Sequence, residues 1–206
     1  MSTAQSSPPV WFRLPPGFHD VSPGDREALD DVARALGSSS AQQQLSELLD
    51  LLDGLAGHHV VHTALGLHPE DAFSVCTSFF SLAVRTAEHA DLRVSVARTA
   101  LAIAASDLWN NAERRPVELS SSLPGYLVAG TITLPGTDQH LFQARAITAH
   151  ADGQHVLVLD LTSAATHHAD AYTAIIEAIT HTVSFADPHP GPAEAPRTSR
   201  ILEVLL

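Results

Sequence analysis

The stretch that decides the fold runs from residue 125 to residue 162. It reads Gly125-Tyr126-Leu127-Val128-Ala129-Gly130-Thr131-Ile132-Thr133-Leu134, then Pro135-Gly136-Thr137-Asp138, then Leu141-Phe142-Gln143-Ala144-Arg145-Ala146-Ile147-Thr148-Ala149-His150, then Asp152-Gly153, then His155-Val156-Leu157-Val158-Leu159-Asp160-Leu161-Thr162. Three apolar and β-branched runs of strand length are separated by two short glycine-bearing turns. Asp-Gly between such runs is a strong hairpin signal. The segment therefore predicts an antiparallel meander, with Pro116 to Leu119 as a further strand before it. After it, His168 to Val183 predicts a helix whose Tyr172, Ile175, Ile176, Ile179 and Val183 share one face. The short Thr182-Val183-Ser184-Phe185 adds a last strand.

Working back towards the N-terminus, Val60 to Leu67 and Phe73 to Val84 predict a strand pair with His68-Pro69-Glu70-Asp71 as its turn. Asp91 to Asn111 predicts a helix, with Leu92, Val96, Ala100 and Ile103 spaced for burial. Small residues at Ala97, Ala102, Ala104 and Ala105 let that helix sit close to a sheet. Further back, Ser22-Pro23 followed by Asp25 has the hydroxyl cap, first-turn proline and acid of a helix start. Leu29, Val32, Ala33 and Leu36 recur at helical spacing up to Gly37, and a second helix carries Leu45, Leu48, Leu49, Leu52 and Leu55 in one stripe. That stripe is core, or a docking face for a partner helix. The expected fold is α+β: an antiparallel β-sheet packed against helices, preceded by an N-terminal pair of helices. The expected organisation is an extended Pro-rich arm (1–21), one α/β domain (22–186, with the helical pair at 22–57 and the sheet and helices at 58–186), and a Pro-rich linker with an apolar C-terminal tail (187–206).

The chain has 206 residues, 45% of them hydrophobic and 17% charged. That is enough apolar surface for a packed core, which argues against wholesale disorder. Its formal net charge is −12, and every one of its 11 bases is arginine. Such a surface repels a nucleic acid and anionic lipid, and the densest basic pair is only Arg114-Arg115. The lone Cys76 cannot form an internal disulfide. No apolar run approaches the roughly 20 residues of a membrane span, and Met1 to Pro9 lacks the pattern of a secretory signal. The expected location is the cytoplasm, with no membrane insertion.

Catalytic and metal chemistry leave no clear motif. Of the 13 histidines, His58, His59 and His62 are closely spaced, but in a strand His58 and His62 lie about 13 Å apart. His167-His168 sits at a helix start. A zinc site needs three or four converging ligands, and neither group supplies them alone. Cys76 lies in an apolar strand, where a thiol is ordinarily inert. There is no Gly-x-Ser-x-Gly elbow, and without lysine there is no Walker loop. Asp30-Asp31 and Glu70-Asp71 read as solvated acids. The expectation is therefore no catalytic residue, no metal ligand and no cofactor.

The last hundred residues resemble the PsbP/LpqN-like α/β sandwich, the fold group that includes the Mog family and Eag-type chaperones. The resemblance is carried by Val117-Glu118-Leu119, Leu123-Pro124-Gly125-Tyr126-Leu127-Val128, the Asp152-Gly153 hairpin into Val156 to Thr162, Ile175-Ile176-Glu177-Ala178-Ile179 and the closing Val183-Ser184-Phe185. It covers roughly residues 58–186 at pattern level and points to an actinobacterial member of uncharacterised role. Members of this group are mostly binding modules: lipoproteins, photosystem accessory proteins, Ran-binding proteins, and chaperones that shield apolar helices of secreted effectors. The N-terminal helical pair and the missing lipobox cysteine depart from that pattern, and the second departure argues against the lipoprotein branch.

The resemblance and the apolar surfaces together imply a non-enzymatic protein-binding module, of which a secretion-accessory or effector-chaperone-type adaptor is the concrete form. The partner is another protein or a second copy of this chain. Candidate partner-binding residues are Trp11, Phe12 and Phe18 in the Pro-rich arm, which lies across either its own domain or a partner. The tail adds Ile201, Leu202, Val204, Leu205 and Leu206, five large aliphatics in its last six positions. It folds back as an edge strand or engages another polypeptide. The competing readings are a small-ligand-binding protein, with a pocket between sheet and helix, and a structural subunit of a larger assembly.

Overall fold

The Asp152-Gly153 turn forms as its chemistry demands. Gly153 takes the left-handed conformation at φ 77°, and Asp152 Oδ1 accepts from the backbone N–H of Gln154 and His155 at 2.8 and 3.2 Å. It joins two strands of one antiparallel sheet. The computed structural model describes residues 8–22, 25, 59–69, 75–119, 121–133 and 140–187. Its strands are β1 (Phe18–Asp20), β2 (Val60–Pro69), β3 (Val75–Thr86), β4 (Glu113–Pro116), β5 (Gly125–Thr133), β6 (His140–Ala149) and β7 (His155–Ser163). They lie in the order β1-β2-β3-β7-β6-β5-β4. Helix α1 is Leu92–Ala104, and α2 is Ala169–His181, entered through a 3-10 turn at Thr166–His168. The expected α+β sheet with helices is the fold observed; the N-terminal helical pair lies outside the described residues. At the start of that segment the Ser22 N–H and Oγ both donate to Asp25 Oδ2, at 2.8 and 2.9 Å.

Strand parity sends alternate side chains to opposite faces. One face carries Ala64, Phe80, Leu82, Leu127, Phe142, Ala144, Ala146, Leu157, Leu159 and Leu161, and Tyr172, Ile176 and Ile179 of α2 close over it in one cluster. Those three fall at i, i+4 and i+7, the spacing that predicted the helix. The other face meets α1 through Val96 and Ala100, packed on Val128, Ile147, Ala149 and Val156. Helix α1 therefore covers β5, β6 and the start of β7. On the β2–β3 side, that second face holds Thr63, Leu65, Phe79, Ser81, Ala83 and Arg85.

Several boundaries differ from expectation, each for a local reason. Strand β2 runs through His68 and Pro69, the pair expected to turn, because His68 still pairs with Cys76 of β3. Helix α1 stops at Ala104 rather than Asn111, because the sheet claims the backbone beyond it: Trp109 bridges Ile132, and the Asn110 N–H bonds to Thr131 at 2.9 Å. The strand expected at Pro116 to Leu119 is β4, four exposed residues ending at Pro116. The Val117 N–H donates to Gly125 at 2.9 Å, so by alternation the Arg114 and Pro116 backbone faces away from β5. Proline is tolerated there because its missing donor breaks no ladder bond. In place of a closing strand, Ser184 makes a single antiparallel bridge with Trp11.

Candidate functional site

The Pro-rich arm lies across its own domain, one of the two courses open to it. The Trp11 N–H donates to Ser184 at 2.9 Å and the Ser184 N–H to Trp11 at 2.8 Å, while the Arg13 N–H reaches Thr182 Oγ1 at 2.9 Å. Phe12 sits 5.0 Å from the His62 ring and 5.5 Å from Phe80. Phe18 lies in β1, 5.2 Å from the His68 ring. The turn before it needs Gly17, whose φ is 93°. Phe12 and Phe18 pack against the main core, and Trp11, held through its backbone, is half-buried. Ile201, Leu202, Val204, Leu205 and Leu206 lie outside the described residues, as do His58, Asp30-Asp31 and Glu70-Asp71.

Beside α1 the sheet carries a polar cluster in the middle of its apolar meander. Gln143 and Arg145 of β6 lie on the same face as Asp160 and Thr162 of β7, with Arg145 directly opposite Asp160 and Gln143 opposite Thr162. The Gln143 side-chain amide donates to both Asp160 oxygens at 3.1 Å and to Thr162 Oγ1 at 3.0 Å, and the Thr162 hydroxyl donates to Asp160 Oδ1 at 2.9 Å. Arg145 Nε donates to Asp160 Oδ2. The carboxylate is thereby saturated and the Arg145 ion pair held at one geometry. Above the cluster opens a cleft of about 310 Å³, lined by Val60, Ser81, Ala83, Arg85, Ile103, Arg145, Val158 and Asp160. Two arginines face one carboxylate, a local positive excess in a chain of net charge −12. Four aliphatic side chains form the apolar part of the wall. The sequence carried a signal for this site: polar residues at i and i+2 in each of two adjacent, otherwise apolar strands.

A second concavity of about 570 Å³ runs beside β4, lined by Arg93, the 116–119 and 122–126 segments, and no histidine. Arg114 of β4 stacks 5.8 Å over the Tyr126 ring, and Arg115 pairs with Glu177 of α2 at 2.9 and 2.6 Å. The hydrogen bonds and charge of that pair push the Arg115 guanidinium up and the Glu177 carboxyl down, each against a smaller effect of burial.

The third cluster joins residues that the sequence reading kept apart. Strand β3 pairs with β7 at Ser78↔Ser163, so the turn that follows β7 lies over the end of β3. That brings the ligand atoms of Cys76, His167 and His168 within 4.8 Å of one another. His68 is the Cα partner of Cys76 across β2–β3, and its Nε2 lies 2.9 Å from Ser78 Oγ. Burial pushes the His68 imidazole below its ordinary value, and repulsion from His168 adds to the fall. Gly66 leaves the room for this: a Cβ there would collide with Ser78 Oγ and His68 Nε2. The thiol is buried as expected, but it is flanked by imidazoles. No spacing in the sequence signals this, because about 90 residues separate Cys76 from His167 and only the strand register unites them. His62, by contrast, stands against Asp20 at 3.4 Å; burial lowers its pKa and Asp20 opposes the fall.

No family model matches this chain, and no curated protein matches it. Among solved structures, a Pseudomonas aeruginosa protein of unknown function, proposed to be a regulator, is similar at a TM-score of 0.41 and 18% identity, covering 63% of this chain and 84% of that one. Among the described residues, no helix is long and apolar enough to cross a membrane.

Proposed function

We propose that this chain is a non-enzymatic protein-binding module whose recognition site is the cleft beside α1. The observation that carries this is the Arg145–Asp160 cluster at the cleft, with Arg85 at its rim and Val60, Ala83, Ile103 and Val158 around it. Asp160 is committed to its neighbours. The cationic edge of the cleft therefore selects an acidic group, and its walls an aliphatic one. An acidic residue flanked by aliphatics on a partner polypeptide supplies both. The effector-chaperone or secretion-accessory role is the form of this reading that the sequence resemblance suggests. The volume also supports a second reading, because about 310 Å³ lies at the lower end of small-molecule sites. In that reading the occupant is a free aliphatic acid with the same chemistry.

The test titrates the full chain, by NMR or calorimetry, with an N-acetylated peptide spanning residues 201–206 and separately with a medium-chain carboxylic acid. That peptide is suitable because it holds one acid among five aliphatics. Arg85→Ala is expected to weaken binding about tenfold, and Ala83→Phe to abolish it by filling the cleft. Binding of the peptide alone supports the protein-binding form, and binding of the acid alone supports the second reading. If neither binds below millimolar concentration, or Ala83→Phe leaves binding intact, the cleft is not the site.

A further inference from the structure

We propose that Cys76, His167 and His168 form a three-ligand site for a zinc-type metal ion, built where the turn after β7 crosses the end of β3. Three observations converge on it. Their donor atoms lie within 4.8 Å of one another. A tetrahedral ion with bonds of about 2.0–2.3 Å sets its ligands roughly 3.4–3.8 Å apart, so side-chain rotations that move the donors by about an ångström complete the set. The donor chemistry is also selective. One thiolate with two imidazoles suits zinc or copper and disfavours magnesium and calcium, which take oxygen ligands. Finally, the backbone around the ligands is held by the fold. Cys76 lies in a strand paired on one side with β2, and the histidines occupy the 3-10 turn that links β7, itself hydrogen-bonded to β3 and β6, to α2.

The surroundings fit a metal better than they fit a catalytic thiol–imidazole pair. Cys76 is buried, and neither cleft described above includes it. His68, opposite Cys76, is turned to Ser78 through Nε2 and packs its ring 5.2 Å from Phe18 and 5.8 Å from Tyr172. It therefore stands as a neighbour that fixes the wall of the site rather than as a ligand. Three protein ligands leave a fourth position open to water or an exogenous ligand, the arrangement of accessible zinc sites rather than closed structural ones. His167 is exposed and His168 half-buried, so the open position faces solvent.

The experiment uses the full chain, reduced and stripped with a chelator, titrated with Zn²⁺ against a chromophoric competitor and in parallel with Co²⁺. One equivalent is expected to bind. The Co²⁺ form should show the visible bands of a tetrahedral site and a sulfur-to-cobalt charge-transfer band that disappears in Cys76→Ser. Zinc affinity should fall by well over a hundredfold in Cys76→Ser, beyond the 10–100-fold typical of an outer-shell change. His167→Ala, at an exposed position, carries the same test if Cys76→Ser does not fold. It should lose at least about tenfold in affinity while its thermal midpoint in chelator matches the parent. Zinc binding of equal affinity in both variants, or a Co²⁺ form with no sulfur band, would assign the metal to other histidines and overturn the site.

Discussion

The two faces of the sheet are built from the same strands and follow opposite rules. The face under α2 is hydrocarbon at its centre, where Phe80, Leu82, Leu157, Leu159, Leu161, Ile176 and Ile179 are all 0–1% exposed, and it turns polar towards His68, Cys76 and Ser78 at one end of β2 and β3. The face under α1 is apolar where the helix lies on it, and beyond the helix it mixes Leu65, Phe79, Ala83 and Val158 with Arg85, Arg145, Asp160, Gln143 and Thr162. Along β7 the contrast changes at every residue, since Leu159 points one way and Val158 and Asp160 the other. Stability is concentrated on the first face, leaving the second free to hold a polar arrangement that contributes little to folding. Burying a charge pair rarely gains stability over well-packed hydrocarbon, so the cluster on the second face adds little to the folding free energy.

The largest test of this contrast compares adjacent residues. Leu159→Ala should cost about 2–5 kcal/mol, because a fully buried leucine leaves a cavity. Val158→Ala, at the half-buried cleft wall, should cost about 1 kcal/mol or less. Urea denaturation of the two variants measures the difference, and equal losses would erase the distinction between the faces. Next in size, Asp160→Ala should cost about 1–3 kcal/mol by stranding the Arg145 and Gln143 donors. The double variant Asp160→Leu/Arg145→Met should recover most of that loss, since Gln143 keeps Thr162 as an acceptor, while losing ligand. A double variant as unstable as the single one would make the cluster structural.

Asp152 in the hairpin separates turn energetics from both faces. Burial pushes its carboxyl up, but the Gln154 N–H and the side chains of His155 and His150 outweigh it, and the pKa falls from 3.8 to about 2. A carboxylate depressed on folding stabilises above its unfolded pKa, and that stability is lost as the pH falls from about 4 through about 2. Asp152→Asn should therefore be less stable at neutral pH, by about 1 kcal/mol or less once solvent screening at this exposed corner is allowed for, with the gap to the parent closing across that window in acid denaturation. Smallest of all, Arg115→Ala removes the bidentate pair with Glu177 at the rim of the α2 face. Both partners are partly exposed, at 48% and 29%, so the loss should stay below about 1 kcal/mol and shrink further in high salt.

What could be read from the sequence is what local chemistry determines. The Asp-Gly turn, the alternating strands and the Tyr172–Ile176–Ile179 face each follow from neighbours in the chain, and they yielded the meander and α2. The ends of elements were read less well. Glu113-Arg114-Arg115 looks like loop and is an edge strand, because an edge can be charged on both faces. Asp107 to Asn111 continues a helical composition, but hydrogen bonds to β5 take its backbone. The polar cluster has only the paired i, i+2 polar residues as its signal, a pattern that any solvent-facing side of a strand shares. The Cys76 cluster has no local signature: Cys76 and His167-His168 are about 90 positions apart, and a register between β3 and β7 cannot be obtained from spacing.

The mutual hydrogen bonds of Trp11 and Ser184 place the two outer ends of the described fold side by side, beyond what their separation of 173 positions would suggest. A polypeptide stitched in this way is almost a ring already. A chain cut to residues 8–187, with those two ends joined by a short linker and reopened at the exposed Asp152-Gly153 corner, would give a permuted protein with the same sheet order. In that protein the Pro-rich arm would be an internal connection.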